Sequence, residues 1–226
     1  MSEHVYEVEV KSLLGGLEAS EHLLQKMKEQ DPTSHEIDSN SQLNHYFIGG
    51  DLKQLVNELL DQVPQVDLDK IKNLAEKAAE YSVRTRDKDG VVLIVIKASV
   101  DDTNSSNGTA RIEIESKVNM TIDQLDQILL NSGFKYQAKW SRQRREYKFK
   151  DMNVCIDKNA GYGYLAEFEK MIENKDLIEE TKKQIRQVIQ SLGFEELDQA
   201  RLDRMFQYYN QNWKDYYGTD KVFNIE

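Results

Sequence analysis

Charged residues recur at every second position in five segments of the sequence. Side chains two residues apart on a β-strand share one face and lie about 7 Å apart, so each segment predicts one charged face. The rows are Glu7, Glu9 and Lys11; Arg84 and Arg86; Arg111, Glu113 and Glu115; Arg142 and Arg144; and Glu167 and Glu169. Apolar residues such as Val8 and Ile114 stand between them. One row alone is most simply a solvated sheet face, but five rows together indicate a shared charged surface.

This mixture of charges suits a metal–polyphosphate ligand. Carboxylates hold a hard divalent cation through oxygen ligands, and arginine and lysine bind phosphate oxygens. Lys97, which follows the apolar run 91–96, adds a further cation. If the apolar faces pack against helices, the charged faces must line the inside of a curved sheet. The sequence therefore predicts a charged lumen in which one metal–polyphosphate ligand balances both the carboxylates and the basic side chains.

The composition argues against several other classes of protein. The chain has 226 residues, with 30 Lys+Arg against 40 Asp+Glu and a formal net charge of -10. This acid excess argues against nucleic acid as a partner, because phosphate neutralisation needs a basic face. Four scattered histidines argue against a zinc site, and no glycine-rich phosphate loop follows a strand. We expect a cytoplasmic protein without a membrane partner, because the chain has one cysteine, no signal peptide and no long apolar run.

Periodicity and turn residues predict an α+β fold. Strands are predicted at 3–11, 42–48, 81–86, 91–99, 109–118, 135–150, 152–158 and 163–170. Helices are predicted at 17–29, 51–61, 67–80, 121–133, 175–192 and 197–217. Polar loops are predicted at 30–41 and 101–108, and a hairpin turn at Asp87-Lys88-Asp89-Gly90. We interpret His45 as a surface or capping histidine, Cys155 as an inert strand cysteine, and the aromatic cluster at 206–217 as core packing.

Ordered motifs extend along the chain from residue 7 to residue 169. They comprise Glu7-x-Glu9-x-Lys11, Tyr46-Phe47, Val83-Arg84-Thr85-Arg86, Lys97, Arg111-x-Glu113-x-Glu115, Arg142-x-Arg144-x-x-Tyr147, Asp157, Gly161-Tyr162-Gly163-Tyr164 and Glu167-x-Glu169. This series resembles the CYTH, or triphosphate tunnel metalloenzyme, family. One departure lies in the second strand, where many members carry Asp-x-Tyr-Phe-Asp and this chain has Asn44-His45-Tyr46-Phe47-Ile48.

The resemblance implies an eight-stranded antiparallel β-barrel, the triphosphate tunnel, with helices packed outside. It implies a tunnel domain over 1–172, including a helical insertion at about 51–80, with C-terminal helices at 173–226 packed on the same domain. It also implies Mg²⁺ or Mn²⁺ as cofactor and Glu7, Glu9 and Lys11 as catalytic residues. The implied metal ligands are Glu7, Glu9, Glu113, Glu115, Glu167 and Glu169. The implied phosphate-binding residues are Lys11, Arg84, Arg86, Lys97, Arg111, Arg142 and Arg144.

Three functions stay open at this stage. The favoured one is a class IV type adenylyl cyclase, which converts ATP to cAMP and pyrophosphate. The second is an inorganic or organic triphosphatase that hydrolyses the terminal phosphate, and the third is a non-catalytic nucleotide or polyphosphate sensor. The expected partner is therefore a nucleoside triphosphate or inorganic polyphosphate. The oligomeric state stays open, a homodimer included.

Overall fold

The computed structural model describes residues 6–77, 80–99 and 111–226, without the side chains of 77, 80, 99 and 111–113. The strands are β1 (Tyr6–Gly15), β2 (His35–Gly49), β3 (Glu80–Lys88), β4 (Val91–Ser99), β5 (Arg111–Lys117), β6 (Phe134–Phe149), β7 (Met152–Asn159) and β8 (Gly163–Ile172). The helices are α1 (Leu17–Gln30), α2 (Leu52–Glu58), α3 (Gln65–Lys77), α4 (Ile122–Asn131), α5 (Ile178–Ser191) and α6 (Gln199–Asn212). None of the helices in the described ranges is long and apolar enough to cross a membrane.

One predicted loop is wrong. Residues 35–41, assigned from sequence to a polar loop, form the first half of β2. Within residues 35–41 the buried side chain is that of Asn40, and its neighbours Ser39 and Ser41 are exposed. The buried side chain is polar, so a search for apolar alternation does not detect the strand. The predicted loop 101–108, and the ends of predicted elements at 3–5, 78–79 and 109–110, lie outside the described residues.

The eight strands form one sheet in the order β1-β8-β7-β6-β2-β3-β4-β5. The pairs β1–β8, β8–β7, β7–β6, β2–β3, β3–β4 and β4–β5 run antiparallel. Within the described part of the chain, β1 and β5 stand at the two ends of this order, so the sheet does not close into the expected barrel. Alternation predicts which face a residue occupies, but not which strands pair, and closure depends on pairing.

The chain divides into two compact units. Unit 1 comprises Met1–Ser41 and Ser141–Glu226, and unit 2 comprises Gln42–Trp140. In unit 1, Val8 and Val10 of β1 are buried in one apolar cluster with side chains of α1 and α5. The helical members of that cluster are Leu23, Met27, Ile185 and Ile189. The apolar face of β1 is therefore the face that helices cover.

Unit 2 has its own core under α2, α3 and α4. Its strands contribute Val83, Ile94, Ile96 and Ile114, and its helices contribute Leu55, Ile71, Leu125 and Leu129 among others. Helix α4 begins with the predicted capping box, in which Thr121 accepts from the Gln124 backbone and the Gln124 side chain accepts from the Thr121 backbone. The apolar alternation of β3 and β5 thus faces helices, as in unit 1.

Aromatic residues of the C-terminal segment contribute to the core of unit 1. Tyr209 of α6 is fully buried, and its ring packs beside Tyr162 and Phe223. Phe206 of the same helix is exposed. The core interpretation of this cluster is therefore confirmed for Tyr209 and not for every member.

Candidate functional site

Strand pairing gathers three carboxylates in unit 1. Glu9 of β1 lies opposite Glu169 of β8, and Glu7 is two residues further along β1. Carboxylate oxygens of Glu7, Glu9 and Glu169 all lie within 4.8 Å of one another. The intervening residues Val8, Val10 and Phe168 are buried in the apolar cluster of unit 1. The three glutamates therefore occupy the opposite face of both strands. We call these three residues the carboxylate cluster.

The electrostatics of the carboxylate cluster suit a cation. Burial, together with the neighbouring negative charges of Glu7 and Glu167, raises the pKa of Glu169 to about 7. Arg144 lowers this pKa but offsets only part of the increase, so the positive charge around Glu169 does not balance the negative charge. Oxygen donors are the ligands that Mg²⁺ and Mn²⁺ prefer. The donor set therefore fits the divalent metal that the sequence resemblance implies.

Cys155 of β7 lies beside the carboxylate cluster. Its Sγ lies within 4.8 Å of carboxylate oxygens of Glu167 and Glu169. Burial raises the pKa of the thiol, so it stays protonated at neutral pH. A protonated thiol is a poor metal ligand and a poor nucleophile. The interpretation of Cys155 as a buried, inert strand cysteine agrees with this environment.

The carboxylate cluster predicts how stability depends on pH without metal. Glu169 ionises near pH 4.5 in the unfolded chain but only near pH 7 in the folded protein. The unfolded state therefore loses its proton first, and stability falls as the pH rises across that window. In EDTA, the melting temperature of Glu169→Gln should decline less than that of the wild type between about pH 5 and pH 8. The exposed Glu173→Gln is the matched control, and parallel profiles for Glu169→Gln and wild type would contradict the prediction.

Cationic side chains of unit 1 contact the next carboxylates in the sheet. Lys11 lies 3.2 Å from Glu167, its partner across β1 and β8, and also pairs with Glu9. Arg144 of β6 donates to both oxygens of Asp157, each at 2.7 Å, and pairs with Glu167. Arg142 donates to Asp157 at 3.0 Å. Lysine and arginine groups are therefore held next to the carboxylate cluster.

Asp157 of β7 is a site residue to which the sequence assigns no role. Its side chain is 1% exposed and accepts from both guanidinium groups of the Arg142-x-Arg144 row. Burial lowers the pKa of Arg144, but Asp157 and Glu167 outweigh that effect and hold it above its ordinary value. Asp157 thus fixes the direction of two permanently charged groups. Its position within the ordered motifs is the signal that could have identified it.

Arg145, the next residue of β6, belongs to the opposite face. It donates to Glu36 at 2.9 Å, and its guanidinium lies 5.3 Å from the centre of the Tyr147 ring. Its side chain is 53% exposed. Arg144 and Arg145 therefore differ in environment although they are adjacent in sequence.

Unit 2 carries a second set of basic side chains. Arg86 of β3 donates to Asn44 at 2.8 Å and pairs with Glu115 of β5 at 2.5 Å. Arg84 donates to the Tyr46 hydroxyl at 3.0 Å. The neutral Asn44 side chain therefore accepts a hydrogen bond from Arg86 without neutralising its charge.

The structure places the sequence-identified residues in two groups. Unit 1 brings together Glu7, Glu9, Lys11, Arg142, Arg144, Glu167 and Glu169. Unit 2 brings together Arg86 and Glu115, and Arg84 lies two residues from Arg86 on β3. Lys97 is half-buried on β4, where its register partner on β5 is Glu113. The side chains of Arg111 and Glu113 lie outside the described residues. His45, expected at the surface or at a cap, is 1% exposed, so that expectation is wrong.

A family model describes this architecture. The CYTH domain model matches residues 69–202, which is more than half of the chain. The chain therefore belongs to the CYTH family. Most members of this family are metal-dependent enzymes that act on triphosphates.

Two solved structures illustrate the similarity of fold. The PH1819 protein from Pyrococcus horikoshii OT3 is 22% identical with a TM-score of 0.56, over 85% of this chain and 93% of that one. A Vibrio parahaemolyticus protein described as a "putative adenylate cyclase" is 13% identical with a TM-score of 0.57, over 89% of this chain and 98% of that one. At these identities the likeness shows the fold alone. A search of curated proteins found no significant match.

Proposed function

We propose that this protein is a divalent-metal-dependent enzyme that acts on a triphosphate-bearing substrate. The carboxylate cluster of Glu7, Glu9 and Glu169 carries the proposal, because its oxygens lie within 4.8 Å of one another. Lys11, which pairs with Glu9, and Arg144, which pairs with Glu167, place cations beside it. A metal–triphosphate complex has the charges that complement both groups.

The residues divide into two roles. Glu7, Glu9 and Glu169 would hold Mg²⁺ or Mn²⁺, and the metal would supply Lewis-acid polarisation of phosphate oxygens. Lys11, Arg142 and Arg144 bind phosphate oxygens, for which guanidinium groups are suited through paired donors. Glu167 contacts Lys11 and Arg144 directly. We therefore assign Glu167 to orienting these cations rather than to the metal.

The basic residues of unit 2 belong to the same proposal. Arg84, Arg86, Lys97 and Arg111 match the family positions that bind phosphate, and Glu113 and Glu115 match its metal-side positions. Arg84 donates to the Tyr46 hydroxyl and Arg86 donates to the Asn44 side chain, and these hydrogen bonds orient the two guanidinium groups. Glu115 is the anionic partner that a phosphate would displace from Arg86.

Within this class we propose cyclisation of ATP. The ribose 3′-oxygen attacks the α-phosphorus, the bond from that phosphorus to the β-phosphate bridging oxygen breaks, and pyrophosphate leaves as the hydroxyl proton passes to solvent water. Arg142 and Arg144 stabilise charge on the leaving group. The support is resemblance: the Arg142-x-Arg144 row and the Gly161–Glu169 segment look closest to the cyclase branch of the family. The alternative, attack of water on the terminal phosphate, uses the same charges.

One product analysis separates the alternatives. The protein is incubated with ATP or tripolyphosphate and Mg²⁺ or Mn²⁺, and cAMP, ADP, pyrophosphate and phosphate are resolved. Cyclisation yields cAMP and pyrophosphate in equal amounts, whereas hydrolysis yields ADP and phosphate from ATP. EDTA should abolish either reaction. Binding of ATP without any product would contradict an enzymatic function and favour a sensor.

A further inference from the structure

The buried carboxylate of Asp126, on α4, contacts side chains of three strands of unit 2, namely β2, β3 and β6. Asp126 is 1% exposed and lies among the apolar residues of its helix. Its Oδ1 accepts from the Thr85 hydroxyl of β3 at 2.6 Å. Its Oδ2 lies 2.7 Å from Nδ1 of His45 on β2 and accepts from the Tyr136 hydroxyl at 2.6 Å. Lys139 approaches the same oxygen at 3.5 Å.

The two strand residues bound by Asp126 are direct partners in the sheet. The register pairs His45 with Thr85, and the flanking pairs are Asn44 with Arg86 and Tyr46 with Arg84. Successive side chains on a strand point to opposite faces. Asp126 therefore contacts the His45–Thr85 pair from the face of the sheet that α4 covers. On the other face, Arg86 donates to Asn44 and Arg84 donates to Tyr46.

We propose that Asp126 is a positioning residue that holds Arg84 and Arg86 in the arrangement in which they bind triphosphate oxygens. This inference rests on the proposed function, which assigns phosphate binding to those arginines. The contact is indirect: Asp126 binds Thr85, which lies between the two arginines in β3, and His45, which lies between their partners in β2.

Helix packing alone does not require this network. Leu125 and Leu129 of α4 are fully buried and already attach the helix to the core of unit 2. A buried charge with several donors is weak evidence for stability, since well-packed apolar groups often serve as well. It does fix geometry, because its Oδ1 contacts Thr85 of β3 and its Oδ2 contacts His45 of β2 and Tyr136 of β6. The network therefore suits the task of holding one pair of strands in one register and orientation.

Two substitutions test the proposal with little change in volume. Thr85→Val keeps the shape and β-branching of the residue but removes the hydroxyl donor, whereas Thr85→Ser keeps the hydroxyl. Asp126→Asn replaces one acceptor oxygen by an amide that faces existing donors. Leu129→Ala is the control, because it destabilises α4 by loss of packing without touching the network.

The measurements are the affinity for tripolyphosphate by calorimetry, the KM and kcat for the substrate that the product analysis identifies, and the melting temperature. We expect Thr85→Val and Asp126→Asn to weaken tripolyphosphate binding and raise KM by about tenfold, the lower range for loss of a supporting partner behind a ligand-binding group. The turnover number kcat should change much less. Thr85→Ser and Leu129→Ala should bind like the wild type, although Leu129→Ala melts at a lower temperature.

The outcomes separate this inference from the function on which it rests. If the wild type fails to bind tripolyphosphate, the proposed function and the role of Asp126 are both overturned. If the wild type binds it, and folded Thr85→Val and Asp126→Asn bind it equally well, only the positioning role is overturned. If Asp126→Asn does not fold, Thr85→Val against Thr85→Ser decides the question.

Discussion

Glu9→Gln is expected to lose at least about a hundredfold in metal-dependent turnover. Removal of a group that only hydrogen-bonds to a metal ligand lowers metal affinity or activity by about 10–100-fold. Loss of a direct ligand should therefore lower activity by more than that range. The same change should leave the melting temperature of the metal-free protein unchanged or raise it. The reason is that Glu7, Glu9 and Glu169 repel one another within 4.8 Å, and a neutral amide relieves one part of that repulsion.

The comparison should be made with Glu21→Gln, which removes one negative charge from an exposed position of α1. Turnover and melting temperature are measured for both variants across a series of Mn²⁺ concentrations. The control should match the wild type in both. Added Mn²⁺ should stabilise the wild type and the control more than Glu9→Gln, because a ligand that binds only the folded state stabilises it by mass action. Wild-type turnover in Glu9→Gln would remove Glu9 from the metal site.

Much of the fold follows from alternation in the sequence. The charged rows of β1 and β8 alternate with Val8, Val10 and Phe168, and these residues are buried against helices. The hairpin of β3 and β4 follows from Asp89-Gly90, both of which adopt positive φ angles. Two features did not follow. The first half of β2 buries a polar residue, Asn40, and the pairing that decides closure of a sheet depends on contacts between distant segments.

The candidate site was predictable as far as side-chain direction goes. Strand alternation predicts that Glu9 and Lys11 share one face of β1. The register of β1 and β8 then places Glu169 and Glu167 opposite them. Partners from outside a row were not predictable in this way. Strand alternation places His45 on the face opposite to that of Asn44, but its carboxylate partner Asp126 lies 81 positions further along the chain on a helix. No local pattern encodes that distance or the burial that results from it.

A matched pair of arginine variants on β6 tests the phosphate site of unit 1. Arg144→Ala should lose most of the thermal stabilisation that tripolyphosphate gives, whereas Arg145→Ala should keep it. The two residues are adjacent and carry the same charge, so their effects on net charge are equal. Arg144 binds Asp157 and Glu167 next to the carboxylate cluster, and Arg145 binds Glu36 on the other face.

The expected size of the effect follows from binding arithmetic. A ligand at a hundred times its Kd stabilises the folded state by about 2.7 kcal/mol. A hydrogen bond to a charged group contributes roughly 1.5–3 kcal/mol, which corresponds to about a tenfold to hundredfold change in Kd. At the same ligand concentration, Arg144→Ala should therefore keep less than about half of the wild-type stabilisation. Its unliganded melting temperature should also fall, because the buried Asp157 is left with fewer donors, so each shift is measured against the same variant without ligand.

The number of phosphates in the anion is the second variable of this experiment. Tripolyphosphate, pyrophosphate and phosphate are compared at matched ionic strength, with Ca²⁺ in place of Mg²⁺ to slow hydrolysis. A triphosphate reaches more of the cations Lys11, Arg142 and Arg144 than a single phosphate does, so the shift should decrease with each phosphate removed. Arg144→Ala should flatten this series, and Arg145→Ala should not. Equal shifts for the three anions, or equal losses in the two variants, would mean that the cations of this face bind anions only through net charge and that no polyphosphate site exists beside Glu7, Glu9 and Glu169.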